Sequence, residues 1–146
     1  MAKVFEKSLF FRMGEGFMTR SIRLGLAPKG AHLLSVEDQE SGELRSTPVT
    51  VIENEGSRWL VAPYGETRWV RNARAAGWVQ LQRGRRTERL QIAEVGGDEG
   101  GPVLREYVQQ VAMVRPYFDV EPDAPAEAFA AELPRHPVFR IVGPAS

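Results

Sequence analysis

The residues best suited to chemistry fall in Arg45-Ser46-Thr47-Pro48-Val49 and Leu60-Val61-Ala62-Pro63-Tyr64-Gly65-Glu66-Thr67, followed by Trp69-Val70-Arg71-Asn72. They read as strand, tight turn, strand, glycine-bearing loop and helix start. Pro48 interrupts a strand-like run and removes one ladder donor. That marks an edge, a bulge, or a place where something lies against the backbone. The Tyr64–Glu66 loop then delivers the chain to a helix beginning near Thr67, whose unbonded amides and dipole favour an anion. A strand edge beside such a helix start has the ingredients to hold a phosphate-bearing cofactor. Residue chemistry alone goes no further.

Other chemistries are poorly represented. Ser46 and Thr47 have no histidine near them, and His32 and His136, the only histidines, are separated by most of the chain. No metal site is expected from them. The run Gly96–Gly101 reads as a loop and lacks the lysine and strand context of a phosphate-binding P-loop. The absence of cysteine excludes disulfides, thiolate metal sites and cysteine nucleophiles. A chain without a defensible acid, base or nucleophile is compatible with hydride transfer by a bound redox cofactor, which carries the reaction while the protein positions it. Protonation then remains, from solvent or from one of the only three tyrosines, Tyr64, Tyr107 and Tyr117.

A chain of 146 residues is one domain's worth, and 42% apolar with 26% charged residues is the ordinary balance of a globular protein. A formal net charge of zero gives no long-range attraction to nucleic acid, so none is expected as a partner. Only Lys3, Lys7 and Lys29 are lysines; the arginine excess has either a GC-rich genome or anion recognition behind it. No signal peptide or membrane span is read, and the expected location is the cytoplasm.

These residues need elements to hold them. The expectation is a single domain over 1–146, with an N-terminal helix within 1–25 and a barrel over 31–142. In the helix, from about Val4 to Ile22, Phe5, Leu9, Met13 and Phe17 form one apolar stripe and Val4, Phe11, Met18 and Ile22 a second. One stripe serves the core; the second packs inside too, or covers a subunit interface, a substrate mouth or a membrane surface. Strands are predicted at Ala31–Val36, Leu44–Ile52, Ser57–Ala62, Trp78–Gln82, Arg89–Glu94 and Val138–Val142, with hairpin turns at Glu53–Gly56 and Arg83–Arg86. Helices are predicted at Arg68–Ala76, closed by Gly77, at Pro102–Val114 and at Ala126–Leu133. About six strands and four helices with short connections make an α+β chain, mainly an antiparallel β-barrel with helices packed on it.

The segments R-x-T-P-V, V-A-P-Y-G-E and W-V-R-N-x-R-A-A-G, with Arg115-Pro116-Tyr117-Phe118 and Arg135-His136-Pro137-Val138-Phe139-Arg140, resemble the deazaflavin-dependent nitroreductase family. These are actinobacterial split β-barrel oxidoreductases that use coenzyme F420. The resemblance runs from about Ala31 to Val142 and implies hydride transfer from the reduced deazaflavin to a hydrophobic, electron-poor acceptor such as an enone, quinone or nitroaromatic. It implies that Arg45 meets the anionic part of the cofactor, where a planar guanidinium suits phosphate or carboxylate. Thr47, Pro48, Ala62, Pro63, Tyr64 and Gly65 are then expected around it, with Arg68 and Arg71 near its extended anionic tail. The resemblance puts Tyr64 on the loop approaching the ring and Tyr107 and Tyr117 on the substrate side. On its own spacing Tyr107 lies on an apolar helix face and reads as core. Arg83, Arg85, Arg86 and Arg89 read as a solvated hairpin, and Trp69 and Asn72 as structural.

One departure stands out. Family members carry a basic pair before Ser-Gly in the first turn; here the segment is Glu37-Asp38-Gln39-Glu40-Ser41-Gly42. A reversed charge at contact costs about 1 kcal/mol in water and several times that when shielded. The competing expectation is therefore a non-catalytic split barrel holding FMN, haem, another tetrapyrrole or a lipid-like ligand, FMN being the weaker cofactor alternative. Membrane association through the N-terminal helix and a homodimer are further expectations.

Overall fold

A computed structural model describes residues 18–145. Seven strands form one sheet in which every pairing is antiparallel: β1 (Ala31–Glu37), β2 (Leu44–Thr50), β3 (Ile52–Asn54), β4 (Ser57–Val61), β5 (Trp78–Arg83), β6 (Arg86–Glu94) and β7 (Val138–Pro144). Their spatial order is β2-β1-β5-β6-β7-β4-β3. The two edge strands, β2 and β3, are consecutive in the chain and separated by Val51 alone. The sheet therefore curls until its edges meet at one bend, giving a split barrel. The predicted strand Leu44–Ile52 is this bent run; Val51 leaves the ladder and donates its N–H to the Gly30 carbonyl at 2.8 Å.

Side-chain alternation sorts the residues into two layers. Leu34 and Val36 of β1, Leu60 of β4, Val79 and Leu81 of β5, and Phe139 and Ile141 of β7 fill the barrel interior together with Ala62. The alternate residues Trp59, Val61 and Val138 face a second core outside the barrel. That core is covered by α2 (Gly97–Gln110), a 3₁₀ turn (Ala112–Tyr117) and α3 (Ala126–Ala130). Fully burying one such side chain stabilises by roughly 1.5–3 kcal/mol, so this double burial decides strand register. A smaller cluster joins Ile22, Ala27, Ala31 and Leu33, with Met18 against it.

The predicted helix from Val4 to Ile22 lies mostly outside the described residues. Residues 18–23 are helical, and the described end of its second stripe, Met18 and Ile22, packs on the protein's own core. Among the described residues, no helix is long and apolar enough to cross a membrane.

Local signals fared unevenly. The helix α1 (Arg68–Ala76) forms as predicted, and Gly77 ends it at φ 77° with its N–H bonded to the Ala73 carbonyl at 2.8 Å. The β3–β4 turn is tighter than predicted, two residues with φ 51° at Glu55 and 76° at Gly56, which suits the twist of the strands. The run Gly96–Gly101, predicted as a loop, is instead the cap and first turns of α2, and that helix ends at Gln110 rather than Val114. Close packing is the cause: a Cβ at Gly101 would sit 2.7 Å from the Ala126 carbonyl oxygen, and one at Gly97 3.1 Å from the Ala130 Cβ. The predicted helix Ala126–Leu133 stops at Ala130. Arg83 is no solvated hairpin charge, since its guanidinium bonds the carbonyls of Ala27, Pro28 and Ala31 at 2.6–2.9 Å.

Glycine within a helix normally gains from replacement by alanine. Gly101→Ala is expected to do the reverse, costing about 1–3 kcal/mol by overpacking α2 on α3. Denaturant unfolding of the variant checks this, and an unchanged midpoint contradicts the close-packing explanation.

Candidate functional site

The turn leaving β4 is held from the opposite end of the chain. Ala62, buried, donates its N–H to the Pro137 carbonyl at 2.9 Å. The next carbonyl, that of Pro63, is 2.8 Å from His136 Nδ1. A carbonyl only accepts, so Nδ1 carries the proton and Nε2 the lone pair. His136 is only 4% exposed and stacks on Phe118 at 3.9 Å, with its Nε2 buried and without a protein partner. Burial pushes its pKa below the usual imidazole value of 6.5; the Pro63 carbonyl opposes this, and the nearby Arg135 charge adds to it. Gly65 adopts φ 86°, a conformation that suits glycine, and the Thr67 N–H returns to its carbonyl at 2.9 Å.

Helix α1 starts directly after this turn. Its N-cap, Thr67, makes no side-chain cap bond, and no acid lies in the first turn. Its amide end therefore keeps its positive character. Val70 and Ala73 reach into the barrel interior, and Trp69 tilts against Phe139 at 5.8 Å, anchoring the helix as its residue types suggested. Arg68 and Arg71 are exposed, with Arg71 Nη1 bonded to the Glu66 carbonyl at 2.7 Å. Arg74 is committed elsewhere, through paired 2.8 Å bonds to Glu94 and a 3.2 Å ion pair with Glu66.

The acidic first turn docks onto this helix. The Gln39 N–H bonds Asn72 Oδ1 at 3.2 Å, and Gln39 Nε2 bonds the Arg71 carbonyl at 3.2 Å. Asp38 is turned inward at 7% exposure, and its Oδ2 accepts from Ser41 Oγ at 3.0 Å and from Arg45 Nε at 3.2 Å. The Ser41 hydroxyl foremost, with the Arg45 and Arg68 guanidiniums and against the cost of burial, holds this carboxyl below the usual carboxylate range. Arg45 lies near the start of β2, the edge strand that the proline pattern suggested. Thr47 and Pro48 follow it, half-buried, in register with Leu34 and Leu33 of β1.

The three tyrosines gather. Tyr64 and Tyr117 meet edge to face with ring centroids 5.0 Å apart. Tyr107 is buried at 4%, and burial, with Tyr64 nearby, pushes its hydroxyl pKa well above the ordinary tyrosine value. Its core reading from helix spacing therefore holds.

The curled antiparallel sheet, with a proline in an edge strand and a glycine turn leading into a helix whose N-cap makes no side-chain bond, is of the split-barrel class. The model of the F420H(2)-dependent quinone reductase family matches residues 10–121. The chain belongs to that family, a family of F420-dependent reductases, so it is an F420-dependent oxidoreductase with coenzyme F420 as its cofactor. Among solved structures it is similar to the Agrobacterium tumefaciens protein Atu2129, of unknown function (16% identity, TM-score 0.60, 99% of this chain). It spans 60% of that protein's length. It is also similar to a domain-swapped dimer (19% identity, TM-score 0.57, 90% of this chain and 92% of that one). A third likeness is to the F420-H2 dependent reductase FDR-A (21% identity, TM-score 0.54, 77% of this chain and 94% of that one). Comparison with curated proteins found no match.

The residues present suit an anionic group: α1 has no acid in its first turn, Arg68 and Arg71 are exposed, and the Gly65 turn leads directly into that helix. The inward Asp38 competes for Arg45, and exposed Glu37, Glu40 and Glu43 carry charge of the same sign around it. Two contributors escaped the sequence: His136, whose partner lies 73 residues away, and Asp38, whose inward turn no local pattern announces.

A histidine held neutral in the folded state binds its proton less readily than in the unfolded chain. Stability is therefore expected to fall as pH drops below about 6.5, with no such loss above it. Thermal unfolding across neutral to mildly acidic pH checks this. His136→Gln should flatten the profile, and a flat wild-type profile contradicts a neutral His136.

Proposed function

We propose that this protein is a single-domain split-barrel reductase acting on small, hydrophobic, electron-poor acceptors: enones, quinones or nitroaromatics. The observation that carries the proposal is the family match over residues 10–121, together with the acid-free start of α1 beside the Gly65 turn. When bound, the reduced deazaflavin supplies a hydride from ring carbon 5.

The chain's own residues then bind, orient and protonate. Arg45, Arg68 and Arg71 are proposed to hold the anionic part of the cofactor, the amide end of α1 adding to their field. Thr47 and Pro48, on the strand edge, and Pro63 and Gly65, on the turn, are proposed to bound the ring, with Ala62, buried in the barrel interior, supporting the turn from behind. Glycine there keeps side-chain bulk out of the way. Hydrogen bonds from His136 and to Pro137 tie that turn to the chain ahead of β7. Tyr64 is proposed to hold the proton that the acceptor takes up after hydride arrives, at its phenolic oxygen. Tyr117, in edge-to-face ring contact with it, is proposed to orient it. Tyr107, buried in the second core with its ionisation suppressed, is proposed to support the acceptor side from behind rather than release a proton. The cytoplasm and a homodimer belong to the same proposal, the latter supported by the domain-swapped neighbour.

Titrating the purified chain with coenzyme F420, followed by deazaflavin fluorescence, is expected to saturate. No binding at tens of micromolar ends the proposal. Tyr64→Phe is expected to lower kcat on the order of 10²-fold while leaving cofactor affinity nearly unchanged. Steady-state kinetics with a quinone acceptor check this, and an unchanged kcat assigns the proton to solvent.

A further inference from the structure

We infer that the Asp38 carboxylate is a built-in competitor for the anionic tail of the cofactor, setting how strongly this chain prefers tail-bearing over tail-less deazaflavins. The inference rests on the cofactor reading above. Arg45, whose side chain is 48% exposed, already spends its Nε on Asp38 Oδ2 at 3.2 Å. The same oxygen accepts from Ser41 Oγ at 3.0 Å. The carboxylate is not on a loose arm. Its backbone N–H bonds the Glu43 carbonyl, and its own carbonyl accepts from Gly42, both at 2.9 Å. Gln39 then pins the turn to α1 through Asn72 and Arg71.

Arg68, from the first turn of α1, acts electrostatically on the same carboxylate. The guanidinium of β2 thus contacts this carboxylate, and that of Arg68 on α1 adds only a longer-range attraction. A phosphate or carboxylate approaching Arg45 must share that guanidinium with Asp38 or displace it. Exposed Glu37, Glu40 and Glu43 add charge of the same sign around the turn. A neutral ring entering beside Pro48 meets none of this, because the competition is for a cation and not for space. The penalty therefore belongs to the tail.

The test compares two probes by fluorescence titration of the full chain: coenzyme F420, and its riboside core lacking the phosphate and glutamate tail. Asp38→Asn is expected to tighten F420 binding about three- to tenfold, an effect that shrinks as salt rises. Binding of the riboside should stay unchanged. Adding Arg45→Gln to that variant should remove the gain. Should Asp38→Asn fail to fold, Asp38→Ser keeps an oxygen in the turn and is expected to act in the same direction. Unchanged or weaker F420 binding by a folded Asp38 variant overturns the inference and leaves the cofactor reading standing. Equal tightening of both probes also overturns it, by assigning the effect to packing. If neither the wild type nor a variant binds either probe, the cofactor reading and the inference fall together.

Discussion

The barrel hangs on one short interruption: β2 and β3 are a single run of chain broken only at Val51, yet they form opposite edges of the sheet. A flat sheet cannot satisfy that connection, because its edges would lie six strand spacings apart, about 28 Å, with one residue to bridge them. Curling is therefore forced by connectivity, and the apolar interior from Leu34 to Ile141 fills what the curl encloses. Val51 is buried in that interior while its N–H is taken by Gly30, so the bend costs no unsatisfied donor. The same bend leaves β2 with β1 on one side and no strand on the other. Pro48 is tolerated there because an edge strand can do without one donor.

The turn that carries Tyr64 is shaped by distant chain. Pro137 takes the Ala62 amide and His136 the Pro63 carbonyl, so a segment 73 residues on decides where the turn sits. That segment is itself tied down. The buried Glu132 carboxylate accepts the Asp119 N–H at 2.9 Å and pairs with Arg135, which also reaches Asp119 at 2.6 Å. Phe118, next to Asp119, stacks on His136. A continuous chain of contacts thus joins the end of the second core to the turn that carries Tyr64.

What sequence reveals here divides by range. The hairpins, the Arg68–Ala76 helix with its Gly77 stop, and the edge position of Pro48 are local events, set by turn chemistry and missing donors within a few residues. The run Gly96–Gly101 misleads because its glycines answer to α3, some thirty residues later, rather than to a flexible loop. His136 stood in a family-like segment, but a histidine before a proline gives no hint of a carbonyl waiting beyond β4. The acidic first turn was legible as charge but not as geometry. Its one inward carboxylate is neutralised by Arg45, while Glu40 stays in water.

The most direct measurement of the central claim is hydrogen–deuterium exchange of the full chain with and without coenzyme F420. Slower exchange of amides in 44–50 and in 62–71 is the predicted result, because those are the strand edge, the glycine turn and the open end of α1. Protection confined to other segments, or none at saturating cofactor, would contradict the placement of the site.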